Sequence, residues 1–149
     1  MTNSHKLNIY FACSITGGRE DEAEYRQIVD FLTTAGHTVP TAVLATSGVV
    51  EMEINADAVV VYERDVAWIR GCDVLLAEVT TPSHGVGYEI GYALARQKPV
   101  ICLHKIGQPV SKMLTGNRDP LLEICAYEQI KSVLGTVKVR LDEIVQSAA

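Results

Sequence analysis

One carboxylate stands out by its setting. Glu89 lies about one turn inside a helix-like stretch that follows an apolar strand-like run, Val74-Leu75-Leu76-Ala77-Glu78-Val79. Between the two runs lies a loop of small and hydroxyl residues, Thr81-Pro82-Ser83-His84-Gly85-Val86-Gly87. A loop that opens a helix presents free N–H groups and the positive end of the dipole. Such a pairing can grip an anion at one end and attack carbon at the other. Ser83 suits either an anion ligand or a plain helix cap, and a cap alone needs no function. His84 reads as a solvated loop residue.

A second loop has similar chemistry. Ser14-Ile15-Thr16-Gly17-Gly18-Arg19 follows another apolar run. Its glycines let backbone N–H groups approach a phosphate closely. Ser14 and Thr16 add hydroxyls, and Arg19 adds a fork of charged donors. The loop is neither a Walker loop nor a dinucleotide fingerprint. A plain strand-to-helix turn explains it equally well. Asp65, in Tyr62-Glu63-Arg64-Asp65-Val66-Ala67-Trp68, is the second carboxylate candidate, with Glu63 and Arg64 as solvated neighbours. Glycosyl transfer uses two carboxylates, one as nucleophile and one as acid or support for the leaving group. The plain alternative is two surface helix residues. Tyr10 adds a hydroxyl at the sheet edge that could orient a carboxylate, or merely pack in the core.

Composition narrows the partners. The chain has 149 residues, 48% hydrophobic and 21% charged, with a net charge of −5. These are values of one globular domain, 1–149, with residues 1–6 as a flexible lead. No basic run is present, so a nucleic acid polymer is not an expected partner. A small phosphate can still bind in a local pocket. No apolar run reaches spanning length and the start lacks a signal-like core, so a cytoplasmic protein is expected. Cys13, Cys72, Cys102 and Cys125 form no close pair of the metal-binding kind and read as reduced thiols. Neither a metal nor an organic cofactor is expected.

The elements that must position these groups alternate between strand and helix. Strands are expected at 7–13, 37–40, 74–79, 99–104 and 121–126. Helices are expected at 20–35, 57–70, 86–96, 110–115 and 128–146, with Asp57 as an N-cap candidate. Residues 41–55 have no sustained period and read as a loop with some helix inside it. Near-continuous apolar strands alternating with helices imply an α/β fold: a single doubly wound domain on a five-stranded parallel sheet covered on both sides by helices. Ligands of such sheets bind beyond the strand C-termini, where both loops should lie.

Taken together, three motifs resemble a known family. They are Tyr10-Phe11-x-x-Ser14-Ile15-x-Gly17-Gly18-Arg19-Glu20-Asp21, Asp65-x-x-Trp68, and Ala77-Glu78-Val79-Thr80-x-Pro82-Ser83-x-Gly85-Val86-Gly87-Tyr88-Glu89-x-Gly91. The chain resembles the 2′-deoxynucleoside 5′-phosphate N-hydrolases of the nucleoside 2-deoxyribosyltransferase superfamily, from about residue 7 to residue 116. The resemblance implies a flavodoxin-like homodimer that splits deoxynucleoside monophosphates into a base and 2-deoxyribose 5-phosphate. It implies Glu89 as nucleophile, Asp65 as essential aspartate and Tyr10 as site tyrosine. It assigns Ser14, Ile15, Thr16, Gly17, Gly18, Arg19, Ser83 and Gly85 to substrate binding. It also implies that Ser111 and Met113 reach the neighbouring subunit's site, with Ser111 meeting phosphate. Two positions depart from close relatives: Thr16 stands for an arginine, and Ala42 for a histidine.

Two other readings stay open. The deoxyribosyltransferases share the nucleophile but carry an aspartate six positions before it, where this chain has Ser83. A carboxylate there would repel a phosphate, whereas a serine can donate to it. A non-catalytic nucleotide-binding module is the other reading.

Overall fold

Residues 5–148 are described in a computed structural model. The expected flexible lead falls mainly on residues 1–4, outside the described residues. Four parallel strands, β1 (Ile9–Ala12), β2 (Val74–Glu78), β3 (Val100–Lys105) and β4 (Leu122–Tyr127), form one sheet in the order β1-β2-β3-β4. Alternate residues point to opposite faces. Ile9, Phe11 and Leu76 pack under α1 (Glu22–Thr34) and α6 (Ile130–Ser147). Tyr10, Ala12, Leu75 and Ala77 pack under α3 (Ala58–Gly71) and α4 (His84–Ala95). Each fully buried large apolar side chain contributes about 1.5–3 kcal/mol.

The expected fifth strand at 37–40 is reduced to one parallel bridge, Asn8 to Thr38. The Ile9 N–H donates to the Thr38 carbonyl at 2.8 Å, and the Thr38 N–H donates to the Leu7 carbonyl at 2.9 Å. Pairing stops there because Pro40 lacks an N–H and the chain turns into a 3-10 turn, Ala42–Ala45. The next strand-side donor, the Phe11 N–H, is taken by the Thr41 hydroxyl at 2.9 Å. With this bridge on one side of β1 and β2 on the other, the order reverses at β1. Both candidate loops leave the sheet at that point, as the switch-point rule requires.

Local signals explain the helices. Tyr25, Ile28, Val29 and Leu32 form the buried stripe of α1. Asp57 caps α3, accepting from the Val59 and Val60 N–H groups at 2.9 and 3.2 Å. The weakly patterned segment contains α2 (Val49–Asn55), entered through Gly48 at φ +83°. No helix among the described residues is long and apolar enough to cross a membrane.

Candidate active site

Tyr10, Asp65 and Glu89 come from three different elements, β1, α3 and α4, and lie near enough for their charges and hydrogen-bonding groups to act on one another. Their convergence follows from periodicity. Tyr10 is an even-numbered β1 residue, so it points to the α3/α4 face. A cleft of about 470 Å³ opens there, lined by Thr16, Glu53, Asp65, Gly85, Tyr88 and Glu89, with Ile54 and Tyr62 on its apolar wall. Glu89 keeps some surface open to the cleft, but protein crowds its carboxyl. Burial pushes it up to about 8, Asp65 and Glu53 push the same way, and Tyr10 and Arg64 oppose. Asp65 is also raised, first by burial, with Arg64 working against the shift. The Tyr10 side chain is 1% exposed, and burial raises its hydroxyl well above the usual range. That hydroxyl approaches Glu89 closely without meeting full hydrogen-bond geometry, which leaves a buried donor unsatisfied.

Arg64 is not the solvated neighbour that the sequence suggests. Its Nε donates to Asp65 Oδ1 at 2.8 Å and its Nη2 donates to Glu53 Oε1 at 3.1 Å. The guanidinium also lies 4.9 Å from the centre of the Trp68 ring. Glu53 was hidden from sequence reasoning because it sits on α2, inside the stretch with no clear period. Its one signal was its place in Glu51-x-Glu53, acidic residues on a short helix otherwise rich in valine, methionine and isoleucine.

The two loops meet beside this cleft. Ser14 is 0% exposed, and its hydroxyl has no partner among the described residues. A Cβ on Gly17 would lie 3.1 Å from that hydroxyl and 3.7 Å from the Ser83 Cα. Gly18 has φ +131°, a conformation that favours glycine. Ile15 is half-buried and Thr16 exposed at the cleft mouth. Ser83 caps α4 by accepting from the Val86 N–H at 3.3 Å. Its own hydroxyl proton remains available to donate. Arg19 corrects an expectation. Its guanidinium is buried against backbone, donating to the Ser14 carbonyl at 3.1 Å, the Leu44 carbonyl at 2.9 Å and the Thr46 carbonyl at 3.0 Å. It also pairs with Glu22 at 3.4 Å. Arg19 therefore ties the loop to the 42–46 turn and does not present a free fork to an anion.

A buried brace supports the second loop from below. Glu78, 0% exposed at the end of β2, accepts the Thr80 N–H at 2.6 Å and the Tyr127 hydroxyl at 2.7 Å. The Thr80 hydroxyl accepts the Lys105 N–H at 2.9 Å. Thr81 donates to Asp21 at 2.9 Å, and Asp21 pairs with the Lys105 ammonium at 2.6 Å. Loop, α1 and β3 are thus joined through side chains.

Ser111 and Met113 are not brought to the carboxylates. Ser111 caps the short α5 (Lys112–Thr115), accepting the Met113 N–H at 3.2 Å. Met113 is 82% exposed. Both line a separate, more apolar groove of about 740 Å³ on the other side of α4, which Ser83 and Tyr88 also border. That groove is the larger, but no carboxylate lines it; Glu53, Asp65 and Glu89 line the smaller cleft. Cys13, Cys72 and Cys102 are buried, Cys125 is half-buried, and all four are free. No group of three or more His, Cys, Asp or Glu arranged for a metal occurs among the described residues.

Comparisons with known proteins identify relatives of this chain. A 5-hydroxymethyl-dUMP N-hydrolase of Mus musculus is 44% identical over 118 residues, covering 75% of this chain and 66% of that protein. A Methanosarcina mazei protein, provisionally named as a 2′-deoxynucleoside 5′-phosphate N-hydrolase, is 40% identical over 132 residues, covering 87% of this chain and 82% of its own. The solved structure of a Clostridium botulinum CMP N-glycosidase superposes with a TM-score of 0.69 at 19% identity, over 89% of this chain and 98% of that one, and so shares the fold. The family model described as nucleoside 2-deoxyribosyltransferase matches residues 9–134. The chain belongs to the nucleoside 2-deoxyribosyltransferase family.

Proposed function

We propose that this protein hydrolyses the N-glycosidic bond of 2′-deoxynucleoside 5′-monophosphates, releasing a free base and 2-deoxyribose 5-phosphate. The observation that carries the reading is one cleft holding Glu89 and Asp65 beside buried Tyr10, next to a loop with Ser83 where transferases have an aspartate. Serine and backbone donors suit a phosphate; an aspartate would repel it. The relatives named above, called N-hydrolases of nucleotides, support the same substrate class.

In this reading the phosphate rests on Ser14, Gly17, Gly18, Ser83 and Gly85, with Ile15 and Thr16 flanking it. Glu89, ionised, attacks the anomeric carbon as the bond to the base breaks, giving a glycosyl ester. Asp65 delivers a proton to the departing base, then takes one from the water that cleaves the ester and regenerates Glu89. Tyr10 orients Glu89. Arg19 acts by shaping the first loop. The working unit is a homodimer in which Ser111 and Met113 reach the other subunit's site. Their exposure on α5, away from their own carboxylates, supports this. Four free thiols fit a reducing compartment such as the cytoplasm.

The test is incubation with dCMP, dGMP and dTMP and their ribo counterparts, with chromatography for free base. Release of base with 2-deoxyribose 5-phosphate supports the hydrolase. Exchange of an added base instead identifies a transferase, and binding without turnover identifies a non-catalytic module.

A further inference from the structure

Arg64 does more than neutralise a neighbour. Its guanidinium is held through Nε and Nη2 and lies over an aromatic ring. Glu53 anchors Nη2 at 3.1 Å, Asp65 accepts from Nε at 2.8 Å, and Cζ lies 4.9 Å from the centre of the Trp68 ring. The partners are mostly enclosed: the side chains of Arg64, Glu53 and Asp65 are 28%, 10% and 16% exposed. Fixed this way, the guanidinium meets Asp65 through Oδ1 alone. Among the described residues Oδ2 has no hydrogen-bond partner.

We propose that Arg64 is a positioning residue, anchored by Glu53 and Trp68, that holds Asp65 by Oδ1 and turns Oδ2 toward the leaving base and the attacking water. The proposal rests on the hydrolase reading, which gives Asp65 its role.

A carboxylate free to rotate would spread its proton over two oxygens and several directions. A clamped one presents a single oxygen, and orientation of this kind is a large part of acid–base catalysis. The same cation offsets local repulsion. Asp65 is faced by Glu53 from α2, Glu89 from α4 and Tyr10 from β1, and Arg64 is the cation that lowers the proton affinity of Asp65, Glu89 and Tyr10 alike. Arginine suits this better than lysine, because a planar fork can hold two carboxylates at once.

The test compares Arg64→Gln, Arg64→Lys and Glu53→Gln with the parent protein. It uses the deoxynucleoside monophosphate cleaved in the product assay, from about pH 5 to about pH 9. Arg64→Gln should lower kcat by about tenfold or more with KM within about threefold, and move the limb governed by Asp65 to higher pH. Arg64→Lys should keep that limb in place while recovering only part of kcat. Glu53→Gln, which leaves Asp65 and Arg64 present but loosens the anchor, should reduce kcat in the same direction by a smaller factor. An unchanged kcat and pH limb in Arg64→Gln, or equal losses in the Gln and Lys variants, would overturn the proposal. Failure of the hydrolase reading is separate: the parent then releases no base. In that event carboxyl NMR of Asp65 still decides, since an upward shift of its titration in Arg64→Gln upholds the clamp and an unmoved titration overturns it.

Discussion

Gly17 and Pro82 touch: a methyl group on Gly17 would lie 2.8 Å from the Pro82 carbonyl oxygen. No real Cβ tolerates that approach to backbone. The two loops after β1 and β2 are therefore seated against each other at a residue that lacks a side chain. Gly17→Ala should push Ser83 away from Ser14 and raise KM for a nucleotide monophosphate by about tenfold, consistent with about 1.4 kcal/mol of lost binding. Isothermal titration with a deoxynucleoside monophosphate checks it, and unchanged affinity would show that the loop contact is irrelevant to binding.

Glu89 predicts a pH dependence with a definite sign. Its carboxyl is pushed up to about 8 and must be ionised to attack carbon. The rise of kcat/KM with pH should therefore follow the ionisation of Glu89 up to about 8, opposed by a falling limb where Asp65 loses the proton it delivers to the base. A profile already flat from acidic pH upward would contradict this nucleophile.

The same shift affects stability. An acid whose folded pKa is raised binds more protons folded than unfolded, so stability falls as pH rises from the ordinary carboxylate range through about 8. Glu89→Gln should abolish turnover by at least about 10³-fold. It should also raise the melting temperature at pH values above that range more than in acid. Equal melting shifts in acid and base would argue that the carboxylate is not forced into its site.

Tyr10→Phe removes a buried hydroxyl with no satisfied partner. Folding stability should change little, since no made hydrogen bond is lost. The rise of kcat/KM should instead move to higher pH, because Tyr10 lowers the Glu89 pKa. Thermal melts and a pH–rate series separate the two effects, and a large loss of stability would refute the assignment.

Tyr127→Phe should behave in the opposite way. It leaves the fully buried Glu78 carboxylate short of one donor, at a cost of about 1–3 kcal/mol. Denaturant melts should show that loss, with the larger effect at neutral pH, where Glu78 is the more ionised. A neutral substitution would mean that the brace beneath the loop carries little strain-free support.

Much of this arrangement was legible in the sequence. The parallel sheet could be read because its strands are apolar on both faces, and Ser83 and Asp57 marked two helix starts by their types. Glu89, Asp65 and Tyr10 were found as separate residues; their meeting needed the fold, because each comes from a different element. The fifth strand was lost because one bridge to Thr38 is all that Pro40 and the turn after it permit. Arg19 and Arg64 were misread for one reason. A charged residue's partners are set by tertiary neighbours: Leu44 and Thr46 for the first, Glu53 for the second. Those neighbours lie in the stretch from 41 to 55, where short helices and turns leave no period to read.

The Thr41 hydroxyl on the Phe11 N–H has a consequence far from catalysis. A sheet edge with a row of free N–H groups invites another chain to add a strand, the usual start of misassembly. Beside β1, the Ile9 donor is taken by Thr38 and the Phe11 donor by a side chain that cannot continue a ladder. This fully buried strand is thereby closed to recruitment at its outer edge, without a full neighbouring strand being built to cover it.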